Sequence, residues 1–306
     1  MDTIVIQDLR KTYGETRAVD GISFSVRQGE VFGMLGPNGA GKTTTVEIIE
    51  GLRVADSGHV TVLGMDVSKD ADQIKARIGV QLQTTTFFPL LTVQEIIQLF
   101  RSFYPGRVRD TEYVIELVNL EEKTRIRSQS LSGGQQQRLS IALALVNYPD
   151  IIFLDEPTTG LDPQARRKMW DVIKQISKEG TTVFLTTHYM EEAERLCNRV
   201  AVIDQGKIIA MDTPADLIDT HFEESAIEFD LNGSTVDLQA LAVLRGVTDA
   251  RQDGNAVTIY STSVPGTLAE LTELGQAQGL ALDDLHVRRA TLEDVFLKLT
   301  GRRIRE

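Results

Sequence analysis

From Val31 to Thr44 the chain reads Val-Phe-Gly-Met-Leu-Gly-Pro-Asn-Gly-Ala-Gly-Lys-Thr-Thr, a short apolar run that meets a glycine-rich turn. A helix-like segment, residues 45–50, follows at once. No other stretch restricts the fold as strongly, because G-x-x-x-x-G-K-[ST] between a strand and a helix is a P-loop in the context that the motif requires. Gly36, Gly39 and Gly41 open backbone conformations closed to other residues. Successive N–H groups can then turn inward and form an anion-binding nest at a helix N-terminus. Lys42 adds a positive charge for β- and γ-phosphates, and the Thr43 hydroxyl suits Mg2+. The whole loop, with Pro37, Asn38, Ala40 and Thr44, is expected to hold a nucleoside triphosphate at a sheet edge of an α/β fold.

What the nucleotide is for has to come from elsewhere. The chain has 306 residues, 42% hydrophobic and 25% charged, enough for one large domain or two smaller ones. A net charge of -12 argues against broad nucleic-acid binding, which wants a basic face. A single cysteine, Cys197, excludes an intrachain disulfide and fits a reducing compartment. No run approaches the length of a transmembrane helix and the amino end does not read as a signal peptide, so a cytoplasmic location is expected.

Residues 3–7 and 22–26 alternate apolar and polar and read as strands of a half-exposed antiparallel layer, with Tyr13 in the turn between them. Residues 58–63 and 78–83 read as strands, the latter ending at Gln83, and 72–77 as a short helix. From 84 to 147 the pattern is helical, with Thr92 and Glu95 spaced as a capping box. Leu131-Ser132-Gly133-Gly134-Gln135 opens a long helix, where the serine and glycines suit either an N-cap or an anion. Ile151 to Leu154 is a buried strand that delivers Asp155 and Glu156 to its carboxyl end. Asp155 is placed to hold Mg2+ and Glu156 to orient or deprotonate an attacking water. Residues 181–187 form another buried strand with His188 just beyond, and 200–204 with 207–210 read as a hairpin around Gln205-Gly206.

With these motifs in this order, residues 1 to about 218 resemble the nucleotide-binding subunit of ATP-binding cassette (ABC) transporters. The P-loop matches Walker A, Asp155-Glu156 Walker B, Ser132 to Gln135 the signature, Leu161-Asp162 the D-loop, Gln83 the Q-loop and His188 the switch histidine. The resemblance implies a mainly parallel core sheet with an antiparallel β subdomain and a helical subdomain. It further implies that Tyr13 stacks on adenine, that Gln83 joins Thr43 and Asp155 around Mg2+, and that His188 contacts the γ-phosphate. Ser132, Gly133, Gly134 and Gln135 would complete the site of a second cassette in a head-to-tail dimer holding two ATP molecules, and Asp162 of the D-loop would also bind nucleotide. One cassette in this chain implies a homodimer or a related subunit, and residues 84–91, with Phe87-Phe88-Pro89, would face an integral membrane permease. The alternative is a soluble ABC ATPase acting on ribosomes or nucleic acid. Such members carry two cassettes with a charged linker, or a long coiled coil; neither is present, and no nucleic-acid partner is expected.

Residues 219–306 read as a separate α+β domain, distinct from the ATPase domain of 1–218. Strands near 226–231, 247–252, 256–261 and 281–288, with helices near 236–244 and 267–278, give the order β-α-β-β-α-β of a ferredoxin-like module. A last helix over 291–301 resembles the appendage of drug-export-type cassettes of the daunorubicin-resistance kind. The expected product is an exporter ATPase, peripheral on the inner face of the cell membrane.

Overall fold

The computed structural model describes residues 1–81, 87–231, 236–278 and 282–301. Its contacts divide into two compact units, Met1–Pro214 and a second that begins at Ala215.

In the first unit, β1 (Asp2–Tyr13) and β2 (Thr16–Arg27) form an antiparallel pair, and β3 (Val31–Leu35) leaves them to start the core sheet. Both paired strands outrun the sequence expectation. Register shifts around Leu9, with Asp8 at φ 45°, break the alternation without ending the pairing. Tyr13 is therefore a strand residue opposite Thr16, not a turn residue. After α1 (Lys42–Ile49), β4 (Ser57–Val62) and the two-residue β5 (Met65–Asp66) complete the antiparallel layer in the order β2-β1-β4-β5.

The core sheet continues through α2 (Ala71–Lys75) and β6 (Ile78–Gln81). A helical insertion follows, comprising α3 (Val93–Ser102), α4 (Thr111–Leu117) and α5 (Gly133–Ala144). Thr92 and Glu95 form the expected capping box at α3. Then come β7 (Ile151–Asp155), α6 (Pro163–Lys178), β8 (Thr182–Thr187), α7 (Met190–Leu196), β9 (Arg199–Asp204) and β10 (Lys207–Asp212). The strand order is β10-β9-β3-β8-β7-β6, all parallel except β10. The β9–β10 turn places Gln205 and Gly206 both at positive φ, the geometry of a tight hairpin.

β3, β7 and β8 are buried along their whole length, as parallel strands covered on both faces must be. A row of rings joins the two sheets: Phe24 of β2 stacks on Phe32 at 5.3 Å, Phe32 meets Phe184 at 5.4 Å, and Phe184 meets Phe153 at 5.6 Å. Ile4, Ile6, Leu9 and Val26 close over the same core. This packing fixes three adjacent strand ends, where the loops after β3, β7 and β8 emerge side by side.

The second unit takes in α8 (Pro214–His221) from Ala215 onward, then β11 (Ser225–Asp230), α9 (Leu238–Ala242), β12 (Val247–Asp253), β13 (Ala256–Ser261), α10 (Val264–Gln278), β14 (Asp283–Arg289) and α11 (Leu292–Thr300). Its antiparallel sheet has the order β12-β13-β11-β14, which is the 4-1-3-2 arrangement of a ferredoxin-like fold. One face buries Ile227, Phe229, Ile259 and Leu271; the other buries Ala226, Tyr260 and Val295. α9 is shorter than expected because Asp237 caps it, bonding the Gln239 N–H at 2.9 Å. α11 is held to the sheet by Asp294, which accepts from Tyr260 Oη and Arg288 Nη1, each at 2.5 Å. Among the described residues, no helix is long and apolar enough to cross a membrane.

Candidate active site

The phosphate loop is built by exclusion. A Cβ on Gly36 would stand 2.2 Å from the Ile203 carbonyl oxygen, and one on Gly41 would stand 2.2 Å from that of Ala18. Gly41 also adopts φ 105°, which a side chain strongly disfavours. Gly41 is the N-cap of α1, and neither a side-chain cap nor an acidic residue occupies the first turn. The leading N–H groups of α1 therefore remain available to an anion. Lys42 is only 4% exposed, and its Nζ donates to the carbonyls of Gly36 at 2.8 Å and Pro37 at 3.2 Å.

Asp155 ends β7 opposite Thr186 of β8. Its Oδ1 accepts from Thr186 Oγ1 at 2.5 Å, and its Oδ2 from Thr43 Oγ1 at 3.5 Å. Burial raises the Asp155 carboxyl above the ordinary aspartate range, opposed by the Thr186 bond and reinforced by the charge of Glu156. Thr43 and Asp155 thus present two hard oxygen donors side by side, which fits Mg2+, an ion that takes few protein ligands and leaves its other positions to phosphate and water. Gln83, the third expected ligand, lies outside the described residues.

Glu156 follows in a left-handed conformation, φ 48°, which costs a non-glycine residue roughly 1–2 kcal/mol. Its N–H is held by Thr186, through the carbonyl at 3.2 Å and Oγ1 at 3.1 Å. The turn aims the carboxylate back across the sheet edge. Oε1 lies 3.2 Å from Lys42 Nζ, and Oε2 lies 3.2 Å from both His188 Nδ1 and Thr159 Oγ1. The imidazole sits off the axis of an ideal hydrogen bond, so its contact is mainly one of proximity. The His188 contact, opposed by burial and aided by Lys42, holds the Glu156 carboxyl down to about 2. Glu156 is consequently an ionised acceptor at neutral pH.

The structure brings Gly36 to Thr44, Asp155, Glu156 and His188 together at one sheet edge. The other residues singled out from sequence stand elsewhere or do something additional. Tyr13 is 41% exposed, with the charges of Lys11 and Arg53 over its ring, 5.5 and 5.3 Å from the ring centre. Ser132 and Gln135 form a complete capping box on α5, with Ser132 N–H donating to Gln135 Oε1 at 2.9 Å. Asp162 caps α6, accepting from Gln164 and Ala165 N–H at 2.9 and 2.8 Å. Gly134 packs on the start of α6, where a Cβ would meet Ala165 at 3.1 Å. Sequence reasoning missed Thr186, which touches both carboxyl-bearing residues, and Thr159.

It also missed Glu50. This acid ends α1, is 3% exposed, and has its carboxyl pushed up to about 8 by burial, then by the charges of Asp155 and Glu47. Below that value it stays neutral and spares Asp155 a second negative charge. The sign of the linkage follows: between the unfolded value and about 8 the folded state keeps a proton that the unfolded chain gives up, so stability falls as pH rises through that window. Glu50→Gln is expected to remove this slope and raise stability at pH 8.5 by on the order of 3 kcal/mol. Thermal unfolding of both proteins from pH 6 to 9 checks it; parallel curves would show that Glu50 ionises without cost.

A phosphate loop on a parallel core, flanked by an antiparallel layer and a helical insertion, defines a P-loop ATPase cassette. The family model described as ABC transporter matches residues 19–159. The chain is 41% identical to the Nod factor export ATP-binding protein I of Ralstonia nicotianae, over 98% of this chain and 94% of that protein. It is 37% identical to the linearmycin resistance ATP-binding protein LnrL of Bacillus subtilis, over 98% and 99%. Against the daunorubicin resistance ATP-binding protein DrrA2 of Streptomyces coeruleorubidus it is 38% identical, over 96% and 94%. Among solved structures, the dimeric post-hydrolysis state of the ATP-binding cassette MJ0796 bound to ADP and Pi aligns with a TM-score of 0.62 and 28% identity, covering 69% of this chain and 98% of that one. The chain belongs to the ABC transporter family, as an ATP-binding and ATP-hydrolysing subunit that uses Mg2+.

Proposed function

We propose that this chain powers export through a separate integral membrane permease, working as one of two cassettes on the inner face of the membrane. The observation that carries the reading is the full-length match to three ATP-binding proteins of export and resistance systems, appendage included. Residues 219–306 are then an accessory domain beside the ATPase domain of 1–218. Two surface features support docking. Phe88 and Leu90 are 53% and 67% exposed, a costly display unless another protein covers them. A Cβ on Gly133 would meet nothing within 4 Å, so no contact among the described residues calls for a glycine at the start of α5. The close approach of a partner cassette's nucleotide supplies that reason, with Ser132, Gly133, Gly134, Gln135 and Asp162 facing it.

Within each site, the loop N–H groups and Lys42 hold the phosphates, and Tyr13 takes the base. Thr43 and Asp155 hold Mg2+, which neutralises phosphate charge when bound. Glu156 accepts a hydrogen bond from the attacking water and draws off its proton, while His188 steadies the carboxylate and faces the γ-phosphate. To test the export reading, the chain is tagged at its carboxyl terminus, native membranes are solubilised in mild detergent, and the co-purifying proteins are identified. A polytopic membrane protein in about equal amount is expected. Recovery only from the soluble fraction, with ribosomes or nucleic acid, would overturn it.

A further inference from the structure

Next to His188, three side chains with no assigned role converge. The Tyr189 ring lies against the imidazole, centroids 4.2 Å apart and planes tilted by 41°. The Tyr189 N–H is fixed by Thr187 Oγ1 at 2.9 Å. Arg166, in the opening turns of α6, places its guanidinium 4.5 Å from the centre of the Tyr189 ring. Glu192, in the first turn of α7, has no exposed surface, and its Oε1 accepts from Thr158 Oγ1 at 2.9 Å and Trp170 Nε1 at 3.1 Å. Thr158 stands two residues after Glu156, and Trp170 lies one helical turn after Arg166. A single carboxylate therefore ties together the turn that carries Glu156, the helix that carries Arg166 and the helix that begins at Tyr189.

Among the described residues, two atoms in this cluster, Glu192 Oε2 and Arg166 Nε, are buried without a well-formed hydrogen bond. Each such orphan costs about 1–3 kcal/mol, and a fold that sought stability alone would replace them with apolar groups. Orphaned polar atoms one residue layer behind a catalytic group point to a role in that group's task. The physical need is plain. His188 stands beyond the end of β8, where its ring has two free torsions, yet it has to meet Glu156 at 3.2 Å. An aromatic face pinned by a cation limits those torsions at a gain of roughly 0.5–1.5 kcal/mol. A misplacement of about 1 Å at a reacting group can cost 10²-fold in rate.

We propose that Arg166, Tyr189 and Glu192 are positioning residues for hydrolysis: they form a frame, spanning α6 and α7, that holds the His188 imidazole against Glu156. The proposal rests on the roles given above to His188 and Glu156. It differs from a purely structural role in acting through His188 alone, so its effect should vanish when His188 is gone.

The test is a double-mutant cycle on the full-length protein, read as MgATP turnover. Tyr189→Leu is expected to lower kcat about 10-fold with KM for ATP within about twofold, because the nucleotide contacts lie elsewhere. Tyr189→Phe, which keeps the ring, is expected to retain wild-type kcat. Adding Tyr189→Leu to His188→Ala is expected to slow that variant by less than about twofold. Arg166→Met, which removes the cation from the ring but leaves the core intact, should show a smaller loss with the same dependence on His188, and it serves if Tyr189→Leu fails to fold. Wild-type kcat in both Tyr189→Leu and Arg166→Met would overturn the frame, as would an undiminished loss in the His188→Ala background. Full activity of His188→Ala itself would instead overturn the site assignment beneath it.

Discussion

Replacing Glu156 by Gln is expected to reduce MgATP turnover about a thousandfold while leaving nucleotide binding intact. The reasoning starts from position. Glu156 is held in a strained left-handed turn by Thr186, and its carboxylate already gathers Lys42, His188 and Thr159 within 3.2 Å. Gln keeps the shape and can still bond Thr159, but it cannot accept a proton from water, and positioned bases contribute typically 10²–10⁴-fold. In the proposed site the phosphate contacts come from Lys42 and the N–H groups of the loop, none of which the substitution removes. Affinity for MgATP should be equal or higher, because one negative charge near the phosphates is lost. Single-turnover hydrolysis and equilibrium nucleotide titration separate the two effects. Wild-type turnover would remove Glu156 from its role; lost binding would mean that the carboxylate chiefly organises the loop.

How much of this was legible in the sequence depends on how local each signal is. The phosphate loop was readable because glycine spacing, Lys42 and Thr43 all act within nine residues, and the fold only has to supply the strand and helix on either side. Asp155 and Glu156 were readable as two acids at the end of an apolar run. Thr186 was not, because a threonine inside a buried strand looks like any β-branched residue until the register sets it opposite Asp155. Glu50 was hidden for the opposite reason. An acid at a helix end reads as solvated, and only the tertiary fold buries it. The lengths of β1 and β2 were underestimated because bulges near Leu9 disrupt the two-residue period that marks a strand. Capping explains a further ambiguity. Ser132 and Asp162 cap their own helices, so their sequence signals would look the same with or without a partner cassette.

Lys42→Ala is expected to act one step earlier, on binding itself, and to weaken MgATP affinity at least about 100-fold, or ~3 kcal/mol. The ammonium group is almost wholly enclosed, with the carbonyl oxygens of Gly36 and Pro37 and the Glu156 carboxylate as its acceptors. An incoming phosphate competes with Glu156 for this cation, so in the wild type the nucleotide would loosen one of the restraints that hold Glu156 down to about 2. In the proposed site nucleotide arrival would thereby raise the basicity of the group that has to take the proton, and tie the chemistry to an occupied loop. Alanine breaks that link at both ends. The phosphates lose their mobile charge, and Glu156 loses the Lys42 restraint permanently, so its pKa rises even without nucleotide. Since a ligand at 100 times its Kd stabilises by about 2.7 kcal/mol, the wild type should melt several degrees higher in saturating MgATP, and Lys42→Ala should show almost no shift. A variant with an undiminished shift but no turnover would confine Lys42 to the transition state. Lys42→Arg discriminates further: its charge is kept, but a planar guanidinium does not fit where a compact ammonium is enclosed by backbone, so it too is expected to fail in binding.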